Sequence, residues 1–155
     1  MLLARRIVVA TDLSPASHAA LEEAVRWLSA GAQVVVLLHV FDVSPWALAD
    51  KQELSQKALR RVTDEAIGAA SSVLLRMREE VFGGLSGVEV AAVQFDGAAA
   101  GVCAYAKAYE ADLVIVSSRG RPQRHGVGPS VIEGILRDAP CRVLVVPNAP
   151  HPIAH

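Results

Sequence analysis

Between residues 117 and 130 the chain reads Ser-Ser-Arg-Gly-Arg-Pro-Gln-Arg-His-Gly-Val-Gly-Pro-Ser, a basic, glycine-bearing segment between the apolar run Leu113–Val116 and the amphipathic run Val131–Leu136. A strand, a turn and a helix start in that order make an anion site. The first N–H groups of a helix have no intrahelical partner, and the helix dipole favours negative charge there. Arg119, Arg121 and Arg124, with His125, add positive charge, and guanidinium groups grip phosphate bidentately. Ser130 supplies a hydroxyl at the expected helix start. The plainer reading of the same residues is a solvated, charged surface loop.

For such a loop to be a site, other elements must bring partners to it. Five nearly continuous apolar runs, Ile7–Ala10, Val34–Phe41, Val88–Phe95, Leu113–Val116 and Val143–Val146, fit strands buried on both faces of a parallel sheet. Helical patterns separate them. Ser14 followed by Pro15 reads as an N-cap with proline at the first helical position, and Leu21, Ala24, Val25 and Leu28 give that helix its apolar stripe until Gly31. A long second helix is expected with Leu54, Ala58, Val62, Ala66, Ala69, Val73, Met77 and Val81 as its stripe, ending at Gly83-Gly84. A third covers about 98–109 and a fourth about 130–138. The order βαβαβαβαβ predicts one open, doubly wound α/β sheet with helices on both faces. Ligands of such sheets sit outside the carboxyl ends of the strands, where the strand order reverses. Residues just after strands are therefore the candidates: Thr11, Asp12 and Ser14, the segment around Val40 and Asp42, Asp96-Gly97, and 117–130.

Composition narrows the classes. The chain has 155 residues, is 52% hydrophobic and carries a net charge of −1, which suits one domain and gives no general attraction to nucleic acid or acidic membranes. No apolar run approaches the ~20 residues that span a bilayer, and the N-terminus does not resemble a secretory signal. A soluble cytoplasmic protein is expected. Cys103 and Cys141 lack metal-type spacing and read as small core hydrophobes. The tail, 148–155, is proline-rich and expected to be mobile.

The chain resembles the universal stress proteins over 1–147. The resemblance is carried by Ile7-Val8-Val9-Ala10-Thr11-Asp12-Leu13-Ser14, by Leu37-Leu38-His39-Val40, by Phe95-Asp96-Gly97, by Ala111-Asp112-Leu113-Val114-Ile115-Val116, and most specifically by Ser130-Val131-Ile132-Glu133 with Asp138-Ala139-Pro140-Cys141-Arg142-Val143-Leu144-Val145-Val146-Pro147. It implies a strand order of 3-2-1-4-5 and, in nucleotide-binding members, an adenine near Asp12 and Val40 with phosphates on a G-x2-G-x9-G-(S/T) loop. Carried over residue by residue, the binding positions are Ala10, Thr11, Asp12, Val40, Ser117, Gly120, Arg121, Gly128, Pro129 and Ser130. It also implies a homodimer paired through the last strand, Val143, Leu144, Val145 and Val146; an unprotected apolar edge favours the same pairing.

The motif is altered. Ser117 stands at the first glycine, Gly120 matches the second, Pro129 replaces the third, and the spacing is one residue short. Serine adds a Cβ, and proline removes an N–H and fixes φ near −65°. The arginines offer a side-chain substitute for the lost backbone contacts. Asp12 reads equally as a ligand contact or as the acceptor of a hydrogen-bonded turn with the Ser14 region. His39 reads as a hydrogen-bonded sheet-end histidine, and Trp27, Trp46, Tyr105 and Tyr109 as packing or solvent-side residues. No G-x-S-x-G, H-E-x-x-H or G-x-x-x-x-G-K-(S/T) pattern occurs, so neither catalytic residues nor a metal site are expected. A phosphoacceptor receiver domain would need a second acid where Thr11 stands and a lysine where Pro147 follows the last strand. The expected function is a non-enzymatic, homodimeric stress-response module with unidentified protein partners and a degraded adenine-nucleotide site. The alternative is a nucleotide-responsive switch that binds ATP or another adenine nucleotide with Mg²⁺, weak hydrolysis being a lesser variant.

Overall fold

Strand β1, Arg6–Ala10, is the middle of the sheet because Ile7, Val8 and Val9 are apolar on both faces and fully buried. The computed structural model describes residues 4–43, 56–118 and 131–148. After β1 come a short 3₁₀ turn at Pro15–Ser17 and α1, His18–Ser29. The elements that follow are β2 (Val34–Asp42), α2 (Gln56–Phe82), β3 (Val88–Phe95), α3 (Ala98–Ala108), β4 (Leu113–Ser117), α4 (Val131–Asp138) and β5 (Arg142–Val146). All five strands are parallel, in the order β3-β2-β1-β4-β5.

Side chains alternate across the pleat. Ile7, Val9, Val35, Leu37, Leu113 and Ile115 pack against α1 and α2, whereas Val8, Leu38, Val40, Val114 and Val116 pack against α3 and α4. Right-handed crossovers require that split when strand order runs outward from β1 to β3 and then reverses to β4 and β5. The reversal lies between β1 and β4.

Two local expectations are corrected. Ser14 does not cap through its side chain; the chain makes a 3₁₀ turn first, and α1 begins at His18. The buried stripe of α2 runs through Thr63, Ala70, Leu74 and Met77, while Val62 and Ala69 are exposed. Successive steps of four overshoot a 3.6-residue turn by about 40° each, so a stripe counted in fours winds off the packed face. Leu54 and Trp46 lie outside the described residues.

Helix ends follow their sequence cues. Gly31, at φ 112°, ends α1: its N–H reaches the carbonyl of Leu28 and that of Ala32 the carbonyl of Trp27. Among the described residues no helix is long and apolar enough to cross a membrane.

Candidate functional site

Register brings the candidates to successive levels of one edge. Ala10 pairs with Leu38, and Val9 pairs with Ile115. Counting on from those pairs, Thr11 stands level with His39 and Ser117, and Asp12 with Val40. Ala10, Thr11, Asp12, Val40 and Ser117 therefore share the carboxyl edge of β2, β1 and β4, at the switch point. Gly120, Arg121, Gly128, Pro129 and Ser130, together with Arg119, Arg124 and His125, lie outside the described residues.

The turn after β1 is closely hydrogen-bonded. The N–H of Thr11 donates to Leu38 O at 2.9 Å, continuing the strand ladder. The Thr11 hydroxyl donates to Ser17 Oγ at 2.7 Å and accepts the N–H of Leu13 at 3.0 Å. Ser17 in turn donates to the carbonyl of Ser14 at 2.7 Å. Asp12 Oδ1 accepts both the N–H of Ser14, at 2.9 Å, and its hydroxyl. This is the hydrogen-bonded turn that the sequence allowed for Asp12. Leu13 sits at φ 68° and packs its side chain against the α1–α2 side of the core. A bulky residue in the left-handed region is strained by about 1–2 kcal/mol, and here burial and two flanking hydrogen bonds hold it.

His39 joins the turn from β2. Its Nδ1 lies 2.9 Å from the carbonyl oxygen of Thr11. A carbonyl only accepts, so that nitrogen carries the proton. The sheet-end, hydrogen-bonded reading of His39 therefore describes it.

The other edge residues have defined partners. Asp42, at the end of β2, accepts the N–H of Gly97 at 3.0 Å, so a carboxylate from within the chain already meets the start of α3. Gly97 is at φ 96°. Gly101, one turn into α3, lets the helix approach so closely that a Cβ there would stand 2.6 Å from Val40 Cγ1 and 2.8 Å from Phe95 Cβ. Ser117 is the last residue of β4, 9% exposed and level with Val146 of β5. It is followed by Ser118, whose N–H donates to Val146 O at 2.9 Å and whose hydroxyl accepts the N–H of Asn148 at 3.3 Å. The chain thus enters the loop tethered to β5.

Ser17 and Gly101 are supports of this edge that motif reasoning passed over. Ser14-x-x-Ser17 after a strand-end acid was the available signal for the first; nothing local to 101 marks the second, because its neighbours Val40 and Phe95 are distant in sequence. The two cysteines are free, and burial, aided by the negative charges of Asp138 at Cys103 and Asp112 at Cys141, pushes both thiols up. Protonated thiols are poor nucleophiles and metal ligands, which suits their reading as core hydrophobes. Tyr105 and Tyr109 stack with centroids 5.7 Å apart. Among the described residues no group of three or more His, Cys, Asp or Glu could hold a metal ion.

β5 forms one edge of the sheet, with Val143, Leu144, Val145 and Val146 all half-buried. Leu136 of α4, the helix that precedes β5 in the chain, is 55% exposed.

Comparison with known proteins agrees with this architecture. Hypothetical protein MJ0577, whose biochemical function was assigned from its structure, superposes with a TM-score of 0.72 at 20% identity, covering 97% of this chain and 100% of that one. The universal stress protein UspA from Lactobacillus plantarum gives 0.70 at 23% identity over 94% and 99% of the two chains. A universal stress protein in complex with cAMP gives 0.66 at 19% over 96% and 100%. No curated protein sequence matches the chain. The model of the universal stress protein family matches residues 4–147, and the chain belongs to that family.

Proposed function

We propose that this protein is a non-catalytic stress-response regulator that holds an adenine nucleotide in the switch-point crevice and works as a homodimer through β5. The observation that carries the reading is the convergence of Thr11, Asp12, Val40 and Ser117 on two adjacent levels of the carboxyl edge, at the point where strand order reverses. The cAMP found on a structurally similar family member supports the ligand class. In this reading the adenine lies toward Asp12 and Val40, and the phosphates lie toward Ser130 with Arg119, Arg121 and Arg124 in place of the missing glycines. Mg²⁺ would enter with the phosphates, as it usually does at nucleotide sites. Stress-response action fits the family, and two free thiols suit a reducing, cytoplasmic setting. The half-buried apolar β5 edge with Leu136 supports self-pairing.

A second reading keeps the dimer and drops the ligand. It is favoured by Ser117 being a buried strand residue with a Cβ where binding members have glycine. Calorimetric titration with ATP and Mg²⁺ at low and high salt, on protein shown by mass to carry no nucleotide, separates the two. Micromolar, salt-sensitive binding that weakens in Arg119→Ala and Arg124→Ala is expected. Absence of heat, with no co-purified ligand, would replace the first reading by the second.

A further inference from the structure

We propose that Ser14 is a positioning residue for Asp12, an inference that rests on reading the crevice as a nucleotide site. Ser14 precedes Pro15 at the start of a helical turn, where a serine hydroxyl ordinarily accepts a helix N–H, yet it makes no capping bond. Its hydroxyl donates to Asp12 Oδ1, the same oxygen that its own N–H donates to. One residue earlier, Leu13 is held in the left-handed region by the Thr11 hydroxyl on its N–H. The turn thus forgoes a helix cap and carries a strained leucine. The bonds around that leucine fix one carboxylate, at the edge where the strands reverse. Strain and forgone local stability of this kind collect where geometry is used.

The brace is continuous with the sheet. Ser17, 2% exposed, donates to the Ser14 carbonyl and accepts from Thr11, and His39 holds the Thr11 carbonyl from β2. A carboxylate oxygen that already accepts two bonds has its plane set before a ligand arrives, so binding need not order it. Ser14 acts through Asp12.

The test titrates ATP with Mg²⁺ into the full chain and into Ser14→Ala, Ser14→Thr, Asp12→Ala and the double variant. Ser14→Ala should bind about tenfold more weakly, the worth of one hydrogen bond to a charged acceptor. Ser14→Thr, which keeps the hydroxyl, should restore affinity to within about twofold. In the Asp12→Ala background, Ser14→Ala should cost nothing further, a non-additivity that general loosening of the fold would not give. Unchanged affinity in Ser14→Ala, or full additivity in the double variant, overturns the positioning role while the nucleotide reading stands. If the wild-type chain takes up no ATP, the nucleotide reading itself fails and takes this role with it.

Discussion

The two ends of the sheet are both rich in polar contacts, but they use them differently. At the amino end, Asp112 Oδ2 accepts the N–H groups of Arg5 and Arg6 at 2.8 and 2.9 Å, Arg6 donates to the Tyr109 carbonyl and lies 5.5 Å over its ring, and Tyr109 reaches Glu89 at 3.3 Å. These groups are exposed. At the carboxyl end, Thr11 and Ser17 are 7% and 2% exposed and their hydroxyls bond to each other and to the turn around Leu13. Exposed contacts tie strand starts together for little energy each; buried, directional ones fix where a carboxylate stands. Abundance of charge therefore did not locate the site. The reversal of strand order placed the candidate residues, and buried hydroxyls hold the turn among them.

The comparison is broken most sharply by adding one methyl group at each end. Gly87, in the turn before β3, has φ 81°, and a Cβ there would lie 2.7 Å from the Gln33 carbonyl oxygen. Gly87→Ala should lose about 3 kcal/mol, combining left-handed strain with a clash against backbone that cannot give. Gly101→Ala should lose about as much, since a Cβ there meets the stiff γ-carbon of Val40 and the β-carbon of Phe95, neither of which can swing away, although alanine favours the helix. The functional consequence should separate the two variants. Gly101→Ala pushes on Val40 and should weaken ATP binding, whereas Gly87→Ala should leave affinity intact below its melting transition. Urea unfolding with unchanged m-values reads the stabilities, and calorimetry reads the affinities. Equal binding loss in both variants would show that the two ends are not independent.

A smaller effect sharpens the amino-end account. Hydrogen bonds from the backbone of Arg6 and Arg5 hold the Asp112 carboxyl below its usual range. A depressed folded-state pKa means stability present above the unfolded value, about 3.9, and lost as pH falls through the folded one. Asp112→Asn should cost about 1 kcal/mol at pH 7, the two bonds being discounted for exposure. Below about pH 4 the two curves should converge. A difference that persisted unchanged to pH 2 would mean that the carboxylate charge contributes nothing.

These ends also show what the sequence could tell. Five apolar runs gave the strands almost to the residue, since a continuous apolar run has no alternation to misread; the ends differ only by Arg6, Asp42, Ser117 and Arg142, and the edge strands β3 and β5 are only half-buried where burial on both faces was expected. The long α2 was legible in extent but not in facing, because its Ala-rich surface offers apolar residues on several sides. At the site, Thr11, Asp12, Val40 and Ser117 follow from topology alone. What stayed open was a choice: the sequence allowed both a Ser14 cap and an Asp12–Ser14 turn, and the left-handed Leu13 goes with the turn. Likewise Asp42 on Gly97 spans β2 and α3, a contact between segments that sequence reading treats separately.

The amino end carries its own left-handed residue, and its substitution gives the smallest effect and the cleanest contrast with Leu13. Glu110, at φ 56°, follows α3; its N–H reaches the Lys107 carbonyl at 3.2 Å and that of Ala111 the Ala106 carbonyl at 2.9 Å, a helix end at which glycine is usual. Its carboxylate meets Arg6 at 3.5 Å, with the Glu110 side chain 84% exposed, a pair that contributes little. Glu110→Gly removes about 1 kcal/mol of strain and gives part of it back through the freer unfolded chain, for a net gain of about 0.5 kcal/mol. Leu13→Gly relieves similar strain but forfeits apolar packing against the core, so it should destabilise. Opposite signs in thermal unfolding would mean that one left-handed residue is a tolerated cap and the other a braced turn. A gain in both would remove the packing argument for Leu13.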